Sequence, residues 1–268
     1  MDELSAELVG QGLNTRVLGR RIVYYERIGS TNDVARQLAE AGEAEGTLVI
    51  ADEQSAGRGR FGRAWVAPAR SSLLMSLILR PDIPSVHASR VTMAVAVGAC
   101  DAVRAMTNLP AQIKWHNDLQ IRGKKFAGIL AESGILDERL EYIIVGIGVN
   151  VNFDTTTIEG IPPDATSLAM ELGRAVPRAP LARALLEHIE AEYARLCAGE
   201  DVCAAYKHRL ATLGQFVRAQ TAQGIIEGRA VDVDDIGALI LERADGSLVQ
   251  LHAGEVTLVK NGEVKNAR

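Results

Sequence analysis

"KKFAGILAESGILDERLEYIIVGIGVNVN" occupies residues 124–152. Its apolar runs are short, rich in isoleucine and valine, and interrupted at Ser133-Gly134 and Asp137-Glu138. That pattern predicts two or three adjacent strands with turns at those two places. Upstream, "RIVYYER" (21–27), "TLVIADE" (47–53) and "SSLLMSLILR" (71–80) read as further strands, and "QIKW" and "DLQI" as two short ones around a turn. Helices are expected after Ser30, where Asp33, spaced apolar residues and Gly42 supply start and stop signals, and at 85–107, 180–197 and "CAAYKHRLATL". Strands come in groups rather than in regular alternation with helices. The expected fold class is therefore α+β, with a mixed or antiparallel sheet.

Beyond Leu213 the texture changes to short alternating strands separated by Gly and Asp turns, as expected of a small β-barrel of roughly 45 residues. This predicts one domain over 1–212 and a second over 213–268. Of the 268 residues, 47% are hydrophobic, enough for a sizeable core, and the net charge of −5 argues against a protein built to coat nucleic acid. The acidic start "MDELSAELVG" has no signal-peptide pattern and "VTMAVAVGACDAV" is too short to span a bilayer, so a cytoplasmic protein without membrane partners is expected. Three cysteines without C-x-x-C, and five histidines without a close pair, give no disulfide framework and no protein metal site.

On this acidic chain, "DEQSAGRGRFGRAW" (52–65) concentrates Arg58, Arg60 and Arg63 among Gly57, Gly59 and Gly62. The glycines spell G-x-G-x-x-G, but Trp65 and Pro68 follow where a dinucleotide-binding turn would open a helix. The P-loop reading fails as well, because Arg63 and Ala64 stand where lysine and a hydroxyl are needed. An RNA-binding Arg-Gly segment and a solvated turn are the remaining rivals of a mobile loop that folds over a small anion. Glycine permits close backbone approach, and guanidinium groups pair with carboxylate and phosphate through forked hydrogen bonds.

"KWHNDLQIRGKKFAGILAE" (114–132) is the second polar concentration, a hairpin that brings Asn117 and Asp118 near Lys124 and Lys125. Lys125 adjoins a buried strand and reads as functional, with Gly128 leaving room for a ligand. Lys114 and Lys124 read as surface or ion-paired lysines, and His116 as a turn or packing residue. In "VGIGVNVN" (145–152), Asn150 or Asn152 could hydrogen-bond a ribose or phosphate.

Taken together, "GSTN" (29–32), the Arg-Gly loop, "KWHNDL", "GKKFAGILAE" and "VGIGVNVN" resemble the biotin protein ligases, in the same order over most of residues 22–152. The resemblance implies a catalytic domain of the biotinyl/lipoyl ligase type, related to class II aminoacyl-tRNA synthetases, and an SH3-like C-terminal β-barrel. The chain departs from the family at His116, where proline is usual. About 20 residues precede the first core strand, which implies the ligase-only form without a winged-helix domain and without DNA as a partner.

The implied substrates are biotin and ATP with Mg²⁺, joined as biotinyl-5′-AMP. The implied partner is a biotin carboxyl carrier protein that presents an acceptor lysine, and family members occur as monomers and homodimers. By resemblance Lys125, Arg60 and Asp118 are catalytic. Biotin falls to Ser30, Thr31, Asn32, Gln54, Arg58, Gly59, Arg60 and Lys125. The nucleotide and adenylate fall to Arg58, Arg60, Arg63, Trp65, Asn117, Lys125 and Asn150. A lipoate or octanoate ligase, related in fold, is the nearest alternative activity.

Overall fold

The computed structural model describes residues 2–136, 139–221, 224–252 and 254–258. Its first seven strands form one sheet: β1 (Ile22–Tyr25), β2 (Leu48–Ala51), β3 (Ser72–Leu79), β4 (Ala111–Lys114), β5 (Asp118–Ile121), β6 (Lys124–Leu136) and β7 (Arg139–Asn150). They lie in the order β1-β2-β3-β7-β6-β5-β4. Only β1 and β2 run parallel, and every other pair is antiparallel, so the sheet is mixed. Both faces of β3 are buried along all eight residues, which is why "SLLMSLIL" shows no polar alternation.

Helices α3 (Ala88–Thr107) and α5 (Arg178–Cys197) pack together over one face of the sheet, against Leu73, Met75, Leu77, Val145 and Ile147. Helix α2 (Thr31–Glu40) covers part of the other face through Ala35 and Ala39, against Val49, Ile78 and Ile144. The rest of that second face carries Gly128, Gly146 and Gly148, with Gly128 paired to Gly148 across β6 and β7. Glycine at alternate positions of a strand strips side chains from one face only. The outcome is a backbone floor.

The short helices α1 (Ala6–Gly10), α4 (Leu168–Leu172) and α6 (Val202–Arg209) complete the α-helical set. A second sheet follows, made of β8 (Phe216–Thr221), β9 (Gly224–Val233), β10 (Leu239–Glu242), β11 (Leu248–Leu251) and β12 (Glu255–Leu258). It is antiparallel in the order β11-β10-β9-β8-β12. Its turn at 234–238 docks on α3 and on the turn between β4 and β5: Ser89 Oγ donates to Ile236 O, and Trp115 Nε1 to Gly237 O at 2.8 Å.

One expected turn is corrected. Ser133-Gly134 lies inside β6, with a register shift after Gly134. The glycine is needed for packing, since a Cβ there would stand 2.4 Å from Tyr142 Cε1. The turn expected at Asp137-Glu138 lies outside the described residues.

A buried charge network fixes the base of the Arg-Gly loop. Arg178 is 1% exposed and bonds Asp52 Oδ1 at 2.6 Å and Asp2 Oδ2 at 2.9 Å. Tyr24 donates to the other oxygen of Asp52, and burial together with that carboxylate pushes its hydroxyl pKa up to about 12. Asp52 thus enters the loop with both oxygens occupied.

Candidate active site

One cavity opens over the glycine floor. The candidates from the sequence other than Asn152 line it: Ser30, Thr31, Asn32, Gln54, Arg58, Gly59, Arg60, Arg63, Trp65, Asn117, Asp118, Lys125 and Asn150. They arrive from five places in the chain, namely the start of α2, the Arg-Gly loop, the β4–β5 turn, the start of β6 and the end of β7.

Ser30 is the N-cap residue of α2 as expected, but its side chain makes no cap bond. Gln54 caps the helix instead, its Oε1 accepting from Thr31 N at 2.7 Å. A short hydrogen-bonded relay continues from there: Gln54 Oε1 to Thr31 Oγ1 (2.8 Å), Thr31 Oγ1 to Ser76 Oγ (2.8 Å), Ser76 Oγ to Asn32 Oδ1 (2.6 Å). Both ends are carbonyl oxygens, which only accept. Two hydroxyl protons serve three contacts, so the relay always leaves one acceptor able to take a further hydrogen bond. Asn32 is seated on Gly146, whose Cβ would stand 2.1 Å from Asn32 Oδ1. Asn32 Nδ2 donates to Glu132 Oε2 at 2.7 Å.

The Arg-Gly loop folds back on itself. Trp65 N donates to Gly57 O, Gly59 N donates to Arg63 O at 2.7 Å, and Arg58 and Ala64 form an isolated antiparallel bridge. At the base Gly57 is obligatory, because a Cβ would stand 2.5 Å from Trp65 O. At the tip Phe61 has φ 55 and is 63% exposed.

The three arginines separate in role. Arg58 Nη2 bonds Asp33 Oδ1 at 2.6 Å and Glu132 Oε2 at 3.1 Å, joining the loop to α2 and β6. Arg60 reaches across the cavity to the β4–β5 turn, with Nη1 3.1 Å from His116 Nδ1 and 3.4 Å from Asn117 Oδ1. Arg63 stays exposed at the cavity wall.

Trp65 lies over the glycine floor, since Cβ atoms on Gly128 and Gly148 would stand 3.1 Å and 2.6 Å from its ring atoms. Lys125 Nζ sits 5.7 Å from the Trp65 ring centroid and 2.7 Å from Asp118 Oδ1. This ion pair aims the lysine beneath the ring. Asn117 is fixed by Nδ2 to Ile129 O at 2.7 Å. Two buried polar atoms at the cavity find no protein partner among the described residues, the donor Trp65 Nε1 and the acceptor Asn150 Oδ1. Asn150 Nδ2 is used by Thr166 O, whereas Asn152 turns away to Asp2 and Val176 O.

Lys114, expected as a surface or ion-paired lysine, is half-buried at the cavity, with no ion pair among the described residues. Its register partner Asp118 is taken by Lys125. The "KxxxD" spacing across a two-strand turn was the available signal. Gly160, Ile161, Pro162, Gly254 and Val256 also line the cavity and were not singled out. His116 lies in the turn between β4 and β5, its ring beside Trp115 and its Nδ1 facing Arg60. Burial and then the Arg60 charge lower its pKa to about 3, so its ring stays neutral.

The comparisons with known proteins agree with this geometry. The biotin/lipoate A/B protein ligase family model matches residues 24–150, and the biotin protein ligase C terminal domain model matches residues 212–259. The chain is 34% identical to a biotin--[acetyl-CoA-carboxylase] ligase of Mycobacterium tuberculosis, over 95% of this chain and 97% of that one. It is also 34% identical to the bifunctional ligase/repressor BirA of Bacillus subtilis, over 96% of this chain and 79% of that protein. Among solved structures it resembles the Aquifex aeolicus biotin protein ligase in complex with biotin and ATP, with a TM-score of 0.75 and 25% identity over 90% of this chain and 99% of that one. The chain therefore belongs to the biotin protein ligase family of enzymes.

Proposed function

We propose that this ligase activates biotin with ATP at the cavity under the Arg-Gly loop and passes it to a lysine of a biotin carboxyl carrier protein. In the first step a biotin carboxylate oxygen bonds the α-phosphorus, the Pα–O bond to the β-phosphate breaks, and pyrophosphate leaves. In the second, the carrier's lysine amine attacks the acyl carbon of biotinyl-5′-AMP, AMP leaves with the electron pair, and the amine loses a proton. Neither step needs a nucleophile from the enzyme, so the work falls to positioning and charge stabilisation.

The observation that carries this reading is the Lys125–Asp118 pair beneath Trp65, at 2.7 Å. It supports Lys125 as the cation that meets the biotin carboxylate and then the adenylate phosphate. The carrier's amine would displace the Asp118 contact, which leaves that carboxylate to receive or orient its proton. Ser30, Thr31, Asn32 and Gln54 would meet the ureido head, and the acceptor spared in the Thr31–Ser76 relay suits a ureido N–H. The unpaired Trp65 Nε1 and Asn150 Oδ1 favour a ligand with both an acceptor and a donor, as adenine and ribose have. Arg63, Asn117 and Lys114 would face the phosphates, Arg60 and Gly59 would cover the adenylate, and Arg58 would pin the loop's base.

Magnesium would enter as the counter-ion of the triphosphate, screening its charge. Among the described residues no three metal-ligating side chains cluster. The second sheet fits an SH3-like barrel domain over 213–268, packed on a catalytic domain over 1–212 of the class II synthetase-like type. No helix of the described residues is long and apolar enough to cross a membrane.

The test is to incubate the protein with ATP, Mg²⁺, biotin and a biotinyl carrier domain, then weigh the carrier. One added biotinyl group supports the reading. Preference for lipoate over biotin in competition would move the activity to the lipoate branch of the family.

A further inference from the structure

We propose that Glu132 is a positioning residue for the biotin head: its carboxylate fixes which way the Asn32 amide faces, and so keeps the spare acceptor of the Thr31–Ser76 relay open. This rests on the reading that the relay meets a ureido N–H of biotin.

The geometry starts on β6. Gly128, Leu130 and Glu132 alternate onto the face of the sheet that carries the cavity. Gly128 and Leu130 line the cavity, whereas Glu132 lies one step beyond it, outside the lining. Asn32 reaches Glu132 from the first turn of α2, passing over Gly146. There its Nδ2 donates to Glu132 Oε2 at 2.7 Å, and only at 3.4 Å to Leu130 O. Glu132 therefore acts on biotin through Asn32 and not by contact. An orienting group must itself be fixed. The same Oε2 accepts from Arg58 Nη2 at 3.1 Å, and Arg58 is tied in turn to Asp33 Oδ1 at 2.6 Å.

A carboxylate oxygen only accepts, whereas an amide has one donating end and one accepting end. With Nδ2 turned to Glu132, Asn32 presents its oxygen to Ser76, and the relay has two protons for three contacts. Depending on where those protons rest, the open acceptor is Gln54 Oε1, Thr31 Oγ1 or Asn32 Oδ1. All three residues line the cavity. The reversed amide would set Oδ1 against the Glu132 carboxylate and aim Nδ2 at Ser76 Oγ. Ser76 would then give its proton to Thr31, and Thr31 its proton to Gln54. Every contact would be filled, and no acceptor would remain for a ligand. Thr31, Asn32 and Ser76 are all buried, so the choice between the two arrangements falls to the protein partners. Glu132 selects the one that leaves room for a donor.

The test compares biotin with the two cyclic carbamates in which one or the other ureido N–H is replaced by O. Their dissociation constants are measured calorimetrically, without ATP, on full-length wild type, Glu132→Leu and Glu132→Gln. Glu132→Met is a second variant without the acceptor and serves if Glu132→Leu does not fold. Wild type should bind the weaker carbamate about tenfold or more less tightly than biotin, the scale of a lost hydrogen bond at a buried acceptor. In Glu132→Leu biotin should weaken about tenfold and that carbamate little, so the ratio falls to within about threefold of one. Glu132→Gln, whose Oε1 can take the place of the accepting oxygen, should keep the ratio within about threefold of wild type. A merely loosened loop or pocket would weaken biotin and carbamate alike and leave the ratio where it was. A wild-type ratio that persists in Glu132→Leu and Glu132→Met overturns the proposal and leaves the ureido reading standing, as does a ratio lost equally in Glu132→Gln. Wild type that binds both carbamates as tightly as biotin overturns the ureido reading, and the proposal with it.

Discussion

The Trp65 ring occupies the space that a side chain on Gly148 would need, with Cε2 only 2.6 Å from the position of a Cβ there. The ring is rigid and its backbone is bonded to Gly57, so it cannot yield as a flexible tip would. Gly148→Ala should tilt Trp65 off the floor and disturb Lys125 beneath it. The expected outcome is a rise in KM for ATP of about tenfold or more, from the loss of an aromatic wall. Steady-state pyrophosphate release against ATP concentration measures it, and an unchanged KM would separate Trp65 from the nucleotide.

Lys125 and Lys114 should fail differently. Lys125 is paired with Asp118, whereas Lys114 brings a cation with no ion pair among the described residues. Lys125→Ala should slow biotin-dependent pyrophosphate release by about 10²–10³, the scale of a lost charge-stabilising donor, and leave Asp118 unpaired. Lys114→Ala should slow the same step while leaving transfer from pre-formed biotinyl-5′-AMP near wild type, because the outgoing phosphates are absent from that reaction. Single-turnover rates for the two half-reactions distinguish them.

Arg178 tests the base of the loop rather than its chemistry. Arg178→Ala would leave buried Asp52 with only the exposed Arg70, at 4.0 Å, as a cation, and should cost about 3 kcal/mol of unfolding free energy in urea titration. A loss under about 1 kcal/mol would place the network among exposed pairs of little weight.

His116 gives a pH prediction with a definite sign. Its folded pKa of about 3 lies below the ordinary histidine value of 6.5. Between those values the unfolded chain binds a proton that the folded chain does not, so stability is lost as pH falls through that window. The slope is at most about 1.4 kcal/mol per pH unit from this group. Carboxylates titrate there too, so the measurement is the difference between wild type and His116→Gln. The variant should lose less stability from pH 6.5 to pH 4, and parallel curves would contradict the assignment.

Much of the site was legible because its signals are local. The hydroxyl and acid that open α2, the glycine that follows Lys125 at Gly128 and the crowded Arg-Gly loop each follow from backbone chemistry within a few residues. What the sequence left hidden depends on partners far along the chain. Gly134 reads as a turn until Tyr142 is seen against it. Lys114 reads as a surface lysine until Asp118 proves to be taken by Lys125. Arg58 and Arg60 are alike in sequence, yet one meets Asp33 and Glu132 and the other meets His116. Gly254 and Val256 reach the cavity only because a second sheet docks beside it.

The account turns on Arg60 keeping activated biotin in the cavity. The direct measurement is free biotinyl-5′-AMP released per pyrophosphate formed, by wild type and Arg60→Ala, with biotin, ATP and Mg²⁺ but no carrier. The account predicts a ratio near zero for wild type and a several-fold higher ratio for the variant, with adenylate formation slowed less than retention. An equal ratio in the two proteins would contradict it.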